Sequence, residues 1–311
     1  MSRIAVFGGA NLDIFARTSS KINMYDSNPG IITTAFGGVG RNIAEICAAL
    51  WEDVWFVSCF SDDVFGSILQ EDCRKKGMDT SASAVIAGVP TSKYLAFMDE
   101  GNDMSFALND MRLLDYMDEK VLKPALNSLS KNDIIIIDAN LKEESILYIV
   151  HNSKCRVAAD PVSAVKAPRF IQSLNNISIF KPNRFEAMQM NGIEIKDEES
   201  ARQSLDWFLE RGVQEILISL SQDGLLVGSA QGRYRYTHEK ADVDNATGGG
   251  DTLLASYVVA RQKGLAIDDA ARYGIGAAVT MIEQDPGQGR VLDHQKIEER
   301  MKRLKIEGTV L

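Results

Sequence analysis

Arg3-Ile4-Ala5-Val6-Phe7-Gly8-Gly9-Ala10-Asn11-Leu12-Asp13 joins a short apolar run to a glycine pair and then to polar side chains. An unbroken apolar run of this length suits a strand buried on both faces. The glycines permit a tight turn, and the residues after them fall at the strand's C-terminal edge, where open α/β sheets bind ligands. Asn11 and Asp13 stand there, placed to grip vicinal hydroxyls of a sugar.

The apolar pattern recurs at residues 54–57, 134–137, 157–159, 177–180 and 216–220. Between these runs, residues 40–50, 67–76, 186–190, 198–211 and 251–263 space apolar positions as helices do. Alternating strands and helices predict an α/β protein, a central mostly parallel sheet with helices on both sides. Two stretches break the rhythm, about 14–36 and 88–108, where polar and glycine-rich sequence carries alternating apolar residues such as Tyr94, Ala96 and Met98. They read as a small β lid beside the main sheet. With no internal repeat or long linker, residues 1–311 are expected to form a single domain.

Hydrophobic residues make up 45% of the 311 and charged residues 25%, which argues against disorder and against a membrane span. A net charge of −9 argues against a nucleic-acid surface, although backbone dipoles can still hold a small polyanion such as ATP. Cys47, Cys59, Cys73 and Cys155 form no C-x-x-C pair, and with His151, His238 and His294 they give no zinc spacing. The N-terminus has no secretory pattern, so the expected location is the cytoplasm.

Chemistry concentrates at Asp244-Asn245-Ala246-Thr247-Gly248-Gly249-Gly250-Asp251, which runs straight into an amphipathic helix. Amides of Gly248, Gly249 and Gly250 at a helix N-terminus favour a phosphate that gains negative charge during transfer. Asp251 in the same turn can take a proton from an attacking hydroxyl, or it can be an acidic helix cap. In Lys181-Pro182-Asn183-Arg184-Phe185-Glu186, the spacing of Asn183 and Glu186 suits residues that orient Mg²⁺-bound waters, and equally a capping box. Phe36-Gly37-Gly38-Val39-Gly40-Arg41-Asn42 is a second glycine cluster entering a helix; Asn42 can reach the same sugar, and Gly37 and Gly38 can hinge the lid. The alternative for both glycine clusters is a plain strand-to-helix turn. No complete G-x-G-x-x-G and no Gly-Lys pair occurs, which removes the dinucleotide fingerprint and the Walker A loop.

Together these pieces resemble, in order along nearly the whole chain, the carbohydrate-kinase family that includes ribokinase, adenosine kinase and fructokinase. Within it, residues 25–30, 36–44, 109–111, 160–164 and 181–184 look most like the bacterial pseudouridine kinases. The resemblance implies a ribokinase-like fold and ATP-dependent, Mg²⁺-requiring phosphorylation of the 5′-hydroxyl of pseudouridine. It makes Asp251 the base, Gly248, Gly249 and Gly250 the anion hole, and Asn183 with Glu186 the organisers of magnesium and phosphate. Asn11, Asp13, Gly38 and Asn42 become ribose contacts; Asn109 and Asp110, helped by Lys93 or Ser27, become readers of the base. Ser219, Gly224 and Thr247 fall beside ATP. The chain departs from the family pattern at Gly249, where alanine is usual, and at Ser221 and Ser256, where glycine is usual. Asn245 stands where many of these kinases have a cation-binding aspartate, which puts dependence on a monovalent cation in doubt. Apolar lid strands suit pairing in a homodimer. The alternatives are a related kinase acting on ribose, adenosine or fructose, a non-catalytic binding protein on the same fold, and, last, an NAD-dependent enzyme.

Overall fold

The computed structural model describes residues 2–101, 103–239, 247–284 and 291–311. The first half runs β1 Ile4–Phe7, β2 Asn11–Thr18, β3 Gly30–Gly37, α1 Val39–Leu50, β4 Val54–Val57, β5 Cys59–Ser61, α2 Val64–Lys75, β6 Ala84–Ile86, β7 Lys93–Met98 and β8 Met104–Asp110. Next come α3 Glu119–Ser128, β9 Ile134–Asp138, α4 Glu143–Asn152, β10 Arg156–Asp160, β11 Ile179–Phe180, α5 Arg184–Asn191, α6 Glu198–Glu210 and β12 Glu215–Ser219. The chain closes with β13 Leu225–Ser229, β14 Gly232–His238, α7 Gly249–Gln262, α8 Ile267–Ile282, α9 His294–Met301 and β15 Ile306–Val310.

The main sheet has the order β15-β14-β13-β12-β11-β10-β9-β1-β4. From β4 to β12 the strands are parallel; β13, β14 and β15 run antiparallel at the far edge. Alternate side chains of each buried strand enter opposite layers. Ile4, Val6, Ile134 and Ile136 pack on the side of α1, α7 and α8, whereas Ala5, Phe7, Ile135 and Ile137 pack on the side of α3 to α6. The parallel core follows the apolar runs of the sequence. The antiparallel edge does not: β13 and β14 are joined by only Ala230 and Gln231, a connection too short for a parallel crossover. A smaller sheet has the order β3-β2-β7-β8 and uses strands from the two irregular stretches, beginning at Asn11 and ending at Asp110. Among the described residues no helix is long and apolar enough to cross a membrane.

Chain order reverses where β1 lies between β9 and β4, and such a reversal opens a crevice beyond the strand ends. The fully buried carboxylate of Asp138, at the end of β9, fills the floor of this crevice. Its Oδ2 accepts from the amides of Gly9 at 3.0 Å and Gly40 at 2.7 Å and from Asn140 Nδ2 at 3.0 Å. Its Oδ1 accepts from the Asn140 amide at 2.8 Å. Burial pushes this carboxyl's pKa up, while the amide donors pull it back.

Replacing Asp138 with alanine would strand these donors in a dry site, and we predict a loss of about 3 kcal/mol or more in urea unfolding. Asp138→Asn, which keeps an acceptor oxygen, should recover part of that loss. Equal stability of the alanine variant and the wild type would show that the crevice is held by other means.

Candidate active site

Helix α7 starts from Gly248, whose φ of 87° is ordinary only for glycine. Thr252 closes the turn, its Oγ1 and amide both donating to the Gly248 carbonyl, at 2.7 and 3.0 Å. Amides in a first helical turn have no intrahelical acceptor, so those of Gly249, Gly250 and Asp251 are available to an anion. Asp251 is half-buried in this turn, and its Oδ2 accepts from Asn42 Nδ2 of α1 at 3.0 Å. Burial pushes the Asp251 carboxyl up to about 7, and the Asp160 carboxylate adds to the rise. The Asn42 hydrogen bond and the Lys181 ammonium oppose it, and Asp138 contributes a further rise. A carboxylate poised near neutrality is suited to proton transfer.

Behind the turn lies an ion pair that the sequence reading did not foresee. Lys181 Nζ stands 2.9 Å from Asp160 Oδ2, the two side chains being only 6% and 5% exposed. A β-carbon on Gly250 would sit 3.2 Å from that ammonium, so the absence of a side chain brings the cation against the backbone of the turn.

Asn183 and Glu186 form a capping box at the start of α5. Asn183 Oδ1 accepts from the amides of Phe185 and Glu186, each at 2.9 Å, and Glu186 Oε2 accepts from the Asn183 amide at 2.7 Å. The capping alternative is thus realised, yet it occupies only one oxygen of the buried Glu186. Among the described residues no cluster of three or more metal-ligating side chains occurs. The oxygen of Glu186 that the box leaves over and the Asn183 side chain would suit bonding to the waters of a magnesium ion, which keeps most of its own waters.

A cavity of about 510 Å³ opens beside the turn, lined by Asn183, Ser219, Gly224, Gly249 and Gly250 and walled by apolar residues such as Leu253. These candidates converge because the segment after β11 continues alongside the end of β12: the Ser219 amide donates to the Pro182 carbonyl at 3.0 Å, and Asn183 pairs with Ser219. Gly224 has φ 100°, and a β-carbon on it would lie 1.9 Å from the Tyr236 carbonyl oxygen. Ser221, in the same turn, holds φ 57° in the region glycine favours, which explains why a glycine is expected there. Thr247 and Gly248 line a separate cavity with Asn42, of about 780 Å³, on the other side of the turn. Ser256 is buried with its hydroxyl unpartnered among the described residues. Asn245 lies outside the described residues.

On the small sheet Asn11 Nδ2 donates to Asp13 Oδ1 at 2.5 Å, and Asp13 packs over Gly37, next to Gly38. Burial raises the Asp13 carboxyl, while Asn11 and Arg41 lower it. The pairings Asp13↔Tyr94 and Tyr94↔Asn109 put Asn109 on the Asp13 face. Leu12↔Lys93 and Lys93↔Asp110 put Lys93 and Asp110 on the opposite face, because neighbouring strand residues point to opposite sides. There Asp110 pairs with Arg112 at 2.7 Å and Lys93 Nζ donates to the Thr91 carbonyl at 3.1 Å. The candidate readers of the base thus divide, Asn109 on the Asp13 face and Asp110 with Lys93 on the other. Ser27 is exposed in the loop between β2 and β3, where its amide donates to Asp26 Oδ1 at 2.7 Å. Asp138 and Asn140 were not singled out from sequence, and Asp160 and Lys181 stood in motifs without a role, although each follows or ends a buried apolar run as Gly8 and Gly9 do.

Residues 1–291 match the pfkB family carbohydrate kinase profile. The chain is 30% identical to the pseudouridine kinase of Escherichia coli over 88% of each chain. It is 24% identical to the ribokinase of Haemophilus influenzae, over 88% of this chain and 91% of that one. The ribokinase of Arabidopsis thaliana, solved with ribose and ATP, superposes with a TM-score of 0.82 at 18% identity, covering 97% of this chain and 99% of that one. A carbohydrate kinase from Agrobacterium tumefaciens gives 0.83 at 23%, covering 99% and 100%.

For Asp251 we predict that kcat/KM rises with pH through a limb near 7, since the carboxyl is neutral below that value and able to accept a proton above it. The same shift has a stability cost. A folded-state value raised above 3.8 gives stability that is fully present below 3.8 and lost as pH rises through about 7. Asp251→Asn should therefore raise Tm relative to wild type at a pH of about 8 and much less at about 4. A flat pH profile of kcat/KM across neutrality would remove Asp251 as the base.

Proposed function

The chain belongs to the pfkB family of carbohydrate kinases, and we propose that it transfers the γ-phosphoryl group of ATP to the 5′-hydroxyl of pseudouridine, giving pseudouridine 5′-phosphate and ADP. The coarser statement, a phosphotransferase acting on an alcohol group of a sugar or nucleoside, follows from the family. The observation that carries the assignment of the chemistry is the 3.0 Å bond from Asn42 to Asp251, which joins the acceptor-side helix to the donor-side turn at one proton-accepting carboxylate. Identity of 30% to a pseudouridine kinase over 88% of both chains supports the choice of acceptor.

In this reading ATP occupies the cavity of Ser219, Gly224 and Asn183, with Thr247 across the turn from it, and its γ-phosphate meets the amides of the turn from Gly248 through Gly249 and Gly250 to Asp251. Asn11, Asp13, Gly38 and Asn42 hold the ribose so that the 5′-oxygen faces the phosphorus. The oxygen–phosphorus bond forms as the bond to the leaving ADP oxygen breaks, and the hydroxyl proton passes to Asp251. Lys181 supplies fixed positive charge behind the turn as negative charge grows on the transferring group. A magnesium ion, held through water by Glu186 and Asn183, would neutralise the phosphate oxygens. The small sheet acts as the lid over the acceptor, excluding water from the reaction. Its outer face carries Ile32, Phe106 and Leu108, exposed at 70%, 52% and 62%, and pairing of two such faces would make a homodimer.

The assay is phosphate transfer from Mg-ATP to pseudouridine, uridine, adenosine, ribose and fructose, followed by mass spectrometry. Pseudouridine should be the preferred acceptor, and Asp251→Asn should lower kcat by about 100-fold or more without loss of ATP affinity. Preference for another acceptor would keep the kinase and overturn the substrate. An Asp251→Asn enzyme within about tenfold of wild type would demand a different base.

A further inference from the structure

We propose that Lys166 is a specificity-determining residue of the acceptor pocket, its ammonium donating a hydrogen bond to a carbonyl oxygen of the substrate's pyrimidinedione ring. The inference rests on the proposed acceptor and goes beyond it by assigning the reader of the base.

The placement comes from topology. Loops after β1, β9 and β10, three neighbouring parallel strands, cover one stretch of the sheet's C-terminal edge. The first loop carries Asn11, the second Asn140 and the third Lys166. Lys166 Nζ donates to Asn140 Oδ1 at 2.7 Å. On its other side Asn140 abuts the turn that leads to the ribose contacts: a β-carbon on Gly9 would sit 3.0 Å from Asn140 Nδ2. The ammonium is thus one side chain removed from the turn that presents Asn11.

Its chemistry is incomplete as it stands. A lysine ammonium has three donors and no acceptor, and among the described residues Lys166 uses only the bond to Asn140 and makes no ion pair with a carboxylate. Lys166 is also half-buried, and burial pushes its pKa down, only partly opposed by Asp138, while Arg169 adds to the fall. A cation held partly out of water with unused donors favours a ligand that brings oxygen acceptors, and the ring of pseudouridine has carbonyl oxygens to offer.

The backbone is shaped to hold it there. Val162, four residues earlier, has φ 64°, a conformation that a β-branched residue adopts only under constraint and that concentrates at functional sites. Asp160 Oδ1 enforces it by accepting from the Val162 amide at 2.7 Å. Arg169 fastens the far end of the loop, donating to the carbonyls of Ala139 and Leu141 at 2.7 and 2.9 Å. On the C-terminal side of Lys166 the loop after β10 is thereby tied to the loop after β9, and on the N-terminal side it is held to the end of its own strand. Lys93, the lysine that sequence nominated for the base, lies on the sheet face away from Asn11 and Asp13.

The test compares Lys166→Met and Lys166→Arg with wild type, using pseudouridine as acceptor and ribose, which lacks the base, as acceptor or competitor. Lys166→Met should raise KM for pseudouridine by about tenfold or more, with kcat changed far less, and should leave the KM or inhibition constant of ribose and the KM of ATP near wild type. Lys166→Arg, which keeps the charge and the donors, should recover part of the affinity. A KM for pseudouridine unchanged in Lys166→Met, or equal losses with ribose and pseudouridine, would overturn the inference and reduce Lys166 to a loop staple. A wild-type enzyme that does not phosphorylate pseudouridine would overturn the acceptor assignment, and this inference with it.

Discussion

A single oxygen, Asp138 Oδ2, ties the end of β1 to the start of α1 through the amides of Gly9 and Gly40. A carboxylate buried away from water is costly unless its lone pairs are filled, and here they are filled by backbone and by Asn140. The arrangement dictates residue types around it. A β-carbon on Gly8 would lie 2.6 Å from Asp138 Oδ2 and one on Gly40 2.9 Å from it. Glycines that in sequence look like generic turn residues are there because a carboxylate occupies the space where their side chains would be. The bond to Gly40 fixes the first turn of α1, hence Asn42, hence the hydrogen bond that orients Asp251.

The electrostatics of Asp251 follow from the same strand edge. The parallel register sets Asp138 opposite Asp160, and the next strand delivers Lys181 one residue after its end. Asp251 therefore feels two carboxylates and one ammonium from the sheet, plus one amide from α1. Burial, and after it the Asp160 carboxylate, holds the carboxyl of Asp251 high, and the ammonium that pairs with Asp160 only partly offsets the rise. An anion at the glycine turn would meet the amides first and the Lys181 ammonium behind them, an order set by Gly250 having no side chain.

Sequence made the parallel core legible because its strands are buried on both faces, so that runs such as 134–137 are unbroken apolar segments. Asn183, Ser219, Gly224, Gly249 and Gly250, nominated from sequence and from the family resemblance, line one cavity, whereas Thr247, nominated with them, lines the cavity across the turn. What escaped was long-range and charged. Asp138 is separated by about one hundred residues or more from the Gly40 and Gly9 amides that donate to it, and no local pattern announces such a pairing. Lys181 was visible as part of a motif, but its partner Asp160 belongs to another strand. The antiparallel edge escaped for the opposite reason: β14, at the edge beyond β13, is only partly buried and carries mixed sequence.

The small sheet shows how a period of two can be misread when residues are taken as a cluster. Asn109 and Asp110 are adjacent in sequence and look like one polar site, but a strand sends them to opposite faces. On one face Asn109 aligns with Tyr94 and Asp13, polar groups that continue the edge of the main sheet. On the other, beyond Lys93 and Asp110, come Leu95 with Leu108 and the stacked rings of Phe97 and Phe106 at 4.5 Å. One thin sheet is thus used on two sides: the face of Asp13 carries polar groups at its crevice end, and the opposite face is largely apolar beyond Lys93 and Asp110. A one-residue slip of β8 would exchange the faces and put Asp110 where Asn109 now stands. The bulge between Phe97 and Met98 lies at the far end of this pairing, so the register beside Asp13 is left regular.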